Sequence, residues 1–163
     1  MKKITFLALL SIFTFSSIAQ NKFGHINAQE ILLLMPEYKT AETELAIFAR
    51  DLESQLGAMQ SEYQASIQEY QTNEATYTDL VKQDKEAEIL SLQQRIQAFQ
   101  QNAQQSLQTK EQELLEPINK KLQTAIKDVA TKGNYTYIFA DGVLHYKDDK
   151  NDVSSLVKKK LGL

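Results

Sequence analysis

A chain of 163 residues with a formal net charge of −3 is long enough for one ordinary domain, and too mildly charged to point to nucleic acid. The absence of cysteine excludes disulfides, thiolate metal sites, a cysteine nucleophile and a lipidated cysteine. Five glycines and two prolines are few, which suits long helices better than a loop-rich sandwich. The first residues read as a targeting segment. Lys2 and Lys3 precede an apolar stretch from Ile4 to Phe15, and Ser17-Ile18-Ala19 places small residues at −3 and −1 of a cut after Ala19. This predicts a signal peptide over 1–19, cleaved after Ala19, and an exported chain. The apolar stretch is shorter than a bilayer-spanning helix needs, so stable membrane insertion is not expected.

Phe23-Gly24-His25-Ile26-Asn27 predicts a short strand. Asn27 then suits a helix N-cap, with Glu30 three residues on in capping-box spacing. A brief apolar helix from Ala28 to Met35 is closed by Pro36, which biases Met35 toward extended angles and is well placed to open the next helix. From there a seam runs through Tyr38, Ala41, Leu45, Phe48, Leu52, Leu56, Met59, Tyr63, Ile67 and Tyr70 in steps of three and four. A second limb repeats it through Ile89, Leu92, Ile96, Phe99, Ala103, Leu107, Leu114, Ile118, Leu122, Ala125 and Val129. So narrow a stripe predicts a two-limbed coiled-coil hairpin. The seam falters among Asn73, Glu74, Thr76, Thr78 and Asp79, which places the tip near 73–80. The midpoint between Pro36 and Pro117 falls at about residue 76 to 77, so the prolines should lie at one height, a shoulder. Gly133-Asn134 supplies the stop.

Beyond the arm the period changes. Tyr135 to Ala140 and Val143 to Tyr146 are rich in aromatic and β-branched residues, and Asp141-Gly142 between them predicts a two-residue hairpin turn. Asp152 then suits an N-cap for a last helix carrying Val153, Leu156, Val157 and Leu161 on one face. The fold class expected is α+β: a helical hairpin arm over 37–132 on a β-rich head from 20–36 and 133–163. Three strands and two small helices bury little area, and oligomerisation is the natural remedy.

Candidate chemistry is sparse. His25 and His145 both fall in predicted strands and would meet across the sheet near Asp141, but a third ligand signature is missing. A phosphate-cradling glycine loop, a nucleophile elbow and a His-Glu-x-x-His helix are all absent, so neither catalysis nor a cofactor is expected. Between Glu37 and Glu116 stand 15 acidic and 6 basic residues, while Lys158-Lys159-Lys160 marks the tail. The bland reading of both is a solvated face. Off the seam lie Ile47, Tyr77, Leu80, Val81 and Leu90. Leu90 fits packing between limbs. Tyr77, Leu80 and Val81 have little arm left to bury them, and are the candidates for contact with an outside chain.

The order Met35-Pro36-Glu37-Tyr38, helical hairpin, Pro117-Ile118, Ala125-Ile126, Val129-Ala130, Gly133 to Phe139 and the closing Asp152–Leu161 helix resembles the Skp/OmpH family of periplasmic chaperones across the chain that follows the signal peptide. The resemblance implies a homotrimer with a central β-barrel and three arms. It also implies a cavity between the arms that holds unfolded outer-membrane proteins without ATP. The best-known members have positively charged arms and this arm is acidic, so no lipopolysaccharide-binding patch is carried over. The alternative function is a structural coiled-coil adaptor or spacer of an envelope complex.

Overall fold

In the computed structural model, which describes residues 21–163, the chain runs β1 (Lys22–Ile26), α1 (Ala28–Leu34), α2 (Pro36–Asn73), α3 (Asp79–Gly133), β2 (Tyr135–Ala140) and α4 (Ser154–Leu161). Three 3-10 turns lie at Glu74–Thr76, Asp141–Val143 and Asp149–Asn151. The expected signal peptide and its cut after Ala19 lie outside the described residues. The architecture is α+β, a long antiparallel helical hairpin on a small strand-bearing head.

Local chemistry sets each boundary. Asn27 caps α1, its Oδ1 accepting from the Glu30 N–H at 3.0 Å. Glu30 does not return to the Asn27 backbone, however. That N–H donates to Ser154 Oγ at 3.1 Å, and the Glu30 carboxylate takes the Asn27 amide at 3.3 Å and Lys158 at 2.5 Å. The cap therefore also ties α1 to α4. Met35 adopts extended angles (φ −68°, ψ 129°) before Pro36, which opens α2.

The 38 residues of α2 span about 57 Å at 1.5 Å per residue. The seam residues face one another along the hairpin: Leu45, Phe48, Leu52, Met59 and Ile67 are half-buried, as are Ile89, Ile96, Phe99 and Leu107 opposite. Leu92 is buried outright. At the shoulder Lys121 of α3 pairs with Glu37 in the first turn of α2, and Pro117 lies inside a continuous α3 at the same level. Asn134 stops α3 in the left-handed region (φ 54°), its N–H donating to the Ala130 and Thr131 carbonyls. Gly133 is required for a different reason, because a Cβ there would lie 2.4 Å from the Tyr135 ring.

The head differs from the sequence expectation in its strands. There is no Asp141-Gly142 hairpin among the described residues. Asp141–Val143 is a 3-10 turn, and Val143 to Tyr146 form no strand. Instead β1 pairs in parallel with β2, Phe23 opposite Tyr137 and His25 opposite Phe139, across the whole length of the arm. The sheet has two strands, not three. A register irregularity between Lys22 and Phe23 lets Tyr135 and Ile138 face the core while Tyr137 and Phe139 face outward. Strand propensity in Val143–Tyr146 is unfulfilled because it reflects fit to a pleated, half-buried surface, and no such surface lies beside it. Val143 and Tyr146 stay 71% and 85% exposed.

Helix α4 also departs in detail. Val153 holds the N-cap position, though the Asp152 carboxylate still accepts from the Ser154 N–H at 2.7 Å. Val153 and Val157 are fully buried, but Leu156 faces solvent. The tail lysines are not simply solvated, since Lys158 pairs with Glu30 and Lys160 with Asp128 at 2.8 Å.

Val153, Val157, Ile31 and Met35 are the largest side chains buried in full, and Ile26, Ala41, Ile118, Leu122 and Ala125 join them. Replacing Ile31 by alanine should cost about 2–5 kcal/mol, through lost transfer energy plus a cavity. Denaturant unfolding of the chain without its first 19 residues, at fixed protein concentration, checks this; Leu90→Ala, at an exposed site, should stay near wild type.

Candidate functional site

The tip is built by polar clasps, not by core. After Asn73 the chain makes one 3-10 turn, closed by Thr76 Oγ1 donating to the Asn73 carbonyl at 2.7 Å and the Tyr77 N–H to the Glu74 carbonyl at 3.3 Å. Tyr77 is extended, and Thr78 caps α3 by accepting from the Val81 N–H at 3.4 Å. Across the limbs the Tyr70 hydroxyl donates to Glu86 at 2.5 Å, and Lys85 reaches Glu69 at 3.0 Å. The Glu86 carboxylate raises the Tyr70 pKa to about 12 by holding its proton. Pairing likewise moves Lys85 up and Glu69 down.

Of the three candidate contact residues, Tyr77 is turned inward. Its ring packs 6.3 Å from that of Tyr70 and its hydroxyl donates to Glu69 at 3.4 Å. Leu80 and Val81 are 68% and 37% exposed at the head of α3. Further down the arm Ile47 and Leu90 also face solvent. For Leu90 this corrects the expected packing between limbs: the narrow seam is already filled by Ile89 and Leu92 on either side.

A larger uncovered surface lies at the other end of the molecule. Phe23, Tyr137 and Phe139 form an outward aromatic cluster on the two strands, with ring centroids 6.0–6.3 Å apart, and all three stay exposed. The alternation Tyr135, Tyr137, Phe139 carried this signal, but only the pairing with β1 shows which members face outward. The histidines separate. His25 is buried against Asp141, whereas His145 is exposed and outside any strand. Among the described residues no cluster of histidine and carboxylate side chains could hold a metal, and no helix is long and apolar enough to cross a membrane.

A helical-hairpin arm on a small two-stranded head, with apolar surface uncovered at both ends, is the class of protein this fold defines. Residues 22–161 match the family described as Outer membrane protein (OmpH-like). The chain belongs to the OmpH-like family. It is 22% identical to the Chaperone protein Skp of Yersinia enterocolitica, covering 93% of each chain, and 26% identical to that of Photorhabdus laumondii, covering 98% and 99%. These relatives make it a family of chaperones. A solved OmpH-like structure from Caulobacter crescentus CB15 has the same fold, with a TM-score of 0.77 at 13% identity over 86% of this chain and 83% of that one.

Because the tip depends on exposed polar ties, Tyr70→Phe should loosen it locally. Amide exchange should quicken between residues 69 and 86 and stay unchanged around Ile31 and Val157.

Proposed function

We propose that this chain is an ATP-independent periplasmic holdase for unfolded outer-membrane proteins, exported by its leader and assembled as a homotrimer through its head. The observation that carries the reading is an arm of about 57 Å whose large apolar side chains, Ile47, Leu80, Val81 and Leu90, are left facing solvent. Scattered apolar contacts on a long, hydrated arm suit an occupant that has no fixed shape. Each contact is weak, and many together bind an unfolded chain and draw it away from aggregation by mass action.

Assembly rests on the head. The face of Phe23, Tyr137 and Phe139 is contiguous and aromatic, the kind of surface that marks a site of association. The outer edge of β2 adds a row of backbone groups for pairing with a second copy. Three copies set side by side would point three arms the same way and enclose a volume between them. The acidic arm leaves apolar contact, not positive charge, as the main source of grip.

The decisive experiment is suppression of aggregation of an unfolded outer-membrane barrel on dilution from denaturant. The protein should suppress it without nucleotide; no effect would overturn the holdase reading and leave the adaptor one. Leu80→Ser with Val81→Ser should raise the amount of protein needed several-fold while leaving the assembly intact. Unchanged suppression would reject the tip as a contact site. Tyr77→Ser is less clean, since it also removes the packing on Tyr70. Sedimentation should give a trimer that Tyr137→Asp dissociates, and a stable wild-type monomer would overturn the assembly. Suppression should change little with salt, because exposed charges are screened over about 10 Å at 0.1 M and apolar contacts are not.

A further inference from the structure

His25 is 3% exposed, although it lies on β1 at the rim of a small head. Its ring meets two acceptors. Nδ1 is 2.8 Å from Asp141 Oδ1, and Nε2 is 3.0 Å from the backbone carbonyl of Asp148. A backbone carbonyl has no proton to offer. Asp141 has none either, since Lys147 at 2.5 Å and then His25 hold its carboxyl below the usual carboxylate range despite partial burial. An ionised carboxylate only accepts. Facing two obligate acceptors, both ring nitrogens must donate, and a histidine that donates twice is an imidazolium.

The neighbouring charges agree. Asp141 comes from the end of β2, and Lys147 and Asp152 from the segment that follows. The Asp148 carboxylate is turned away to accept from the Lys150 N–H at 3.1 Å. Burial pulls the His25 pKa down, but the Asp148 carbonyl, Asp141 and Asp152 together outweigh it, and the value lies above 6.5. The same segment also touches the strand through its backbone. The Val153 N–H donates to the His25 carbonyl at 2.9 Å, and Asp152 bridges alongside His25 on the edge of β1 that β2 leaves free.

We propose that His25 is a protonation-operated latch: its imidazolium ties the segment 141–152 across the free edge of β1, and loss of the proton releases it. On deprotonation the Nε2 proton leaves to solvent and Nδ1 keeps its bond to the carboxylate. The Nε2 lone pair then faces the Asp148 carbonyl, two acceptors with no hydrogen between them, and the strand loses its side-chain tie to the 148–152 end of the segment while Asp141 stays bound. A histidine pKa raised on folding gives stability that is complete below the unfolded value of 6.5 and fades as pH rises through the folded value. Mild acidity closes the latch. Mild alkali opens it and uncovers a strand edge ready to pair.

The test uses the whole exported chain carrying His145→Gln, so that one imidazole remains. Its ring should titrate by NMR above pH 6.5, with both nitrogens protonated at pH 6. Amide protection at Asn151, Asp152 and Val153, corrected for intrinsic base catalysis, should fall several-fold between pH 6 and 9. Protection at Ile31 and Leu122 should hold. Asp141→Asn, which keeps the size of the side chain and removes its charge, should move both the titration and the loss of protection to lower pH together. A ring titrating at or below pH 6.5, or protection at 151–153 that ignores pH, would overturn the latch.

Discussion

The buried cluster at the shoulder is the one place where β1, α1, α2, α3 and α4 all contribute to a common interior. Ile31 and Met35 sit at its centre because Pro36 turns the chain sharply between α1 and α2, so two helices can approach the same point from different directions. The level of Pro117 in α3 then brings Ile118, Leu122 and Ala125 into register with them. Val153 and Val157 close the cluster from α4, held there by Lys158 on Glu30 and Lys160 on Asp128. Every other part of the molecule is a projection from this point. Without it the limbs of the arm would have no fixed angle, and the two strands, whose paired residues lie 113 to 114 positions apart, no reason to pair.

Away from the shoulder, burial falls off quickly and the balance of forces changes. Leu92 is the one described residue that the distal arm buries in full, and the rest of the seam is half-buried. Two helices in contact along a narrow stripe leave most of each surface in water, so helicity itself must be favourable there. The long runs of Gln, Glu, Ala and Leu supply that propensity. At the tip even the seam gives out, and Tyr70 on Glu86 and Lys85 on Glu69 hold the limbs together. Stability therefore grades from the shoulder outward, and the tip is the part most able to adjust.

That gradient also explains what could be read from the residues alone. The arm was legible because its signal is local: a period of 3.5 to 3.6 is written in the sequence beside each residue, and caps and prolines mark its ends. The turn window emerged from the faltering seam with no glycine to help. The head was only half legible. Asp141-Gly142 has turn chemistry, but Asp141 is taken up by His25 and Lys147, so the dipeptide never closes a hairpin. The true partner of β2 is β1, on the far side of the arm, and no local pattern announces a parallel pairing of that range. The burial of His25 was hidden for the same reason, since its neighbours in space lie more than a hundred residues away. The orientation of Tyr77 has no local sign, because its packing depends on Tyr70, one turn inside α2.

Charge also bears on the apolar side chains that the arm leaves exposed. Between Glu37 and Glu116 the excess of acidic residues gives each arm about nine negative charges, spread along both limbs. Two arms brought seam to seam would place those charges within a screening length of about 10 Å and repel. Arms held farther apart than that would hardly sense one another. Ile47, Leu80 and Leu90 stay exposed among those charges. The acidic surface therefore disfavours contact between two copies of the arm and leaves its apolar side chains uncovered.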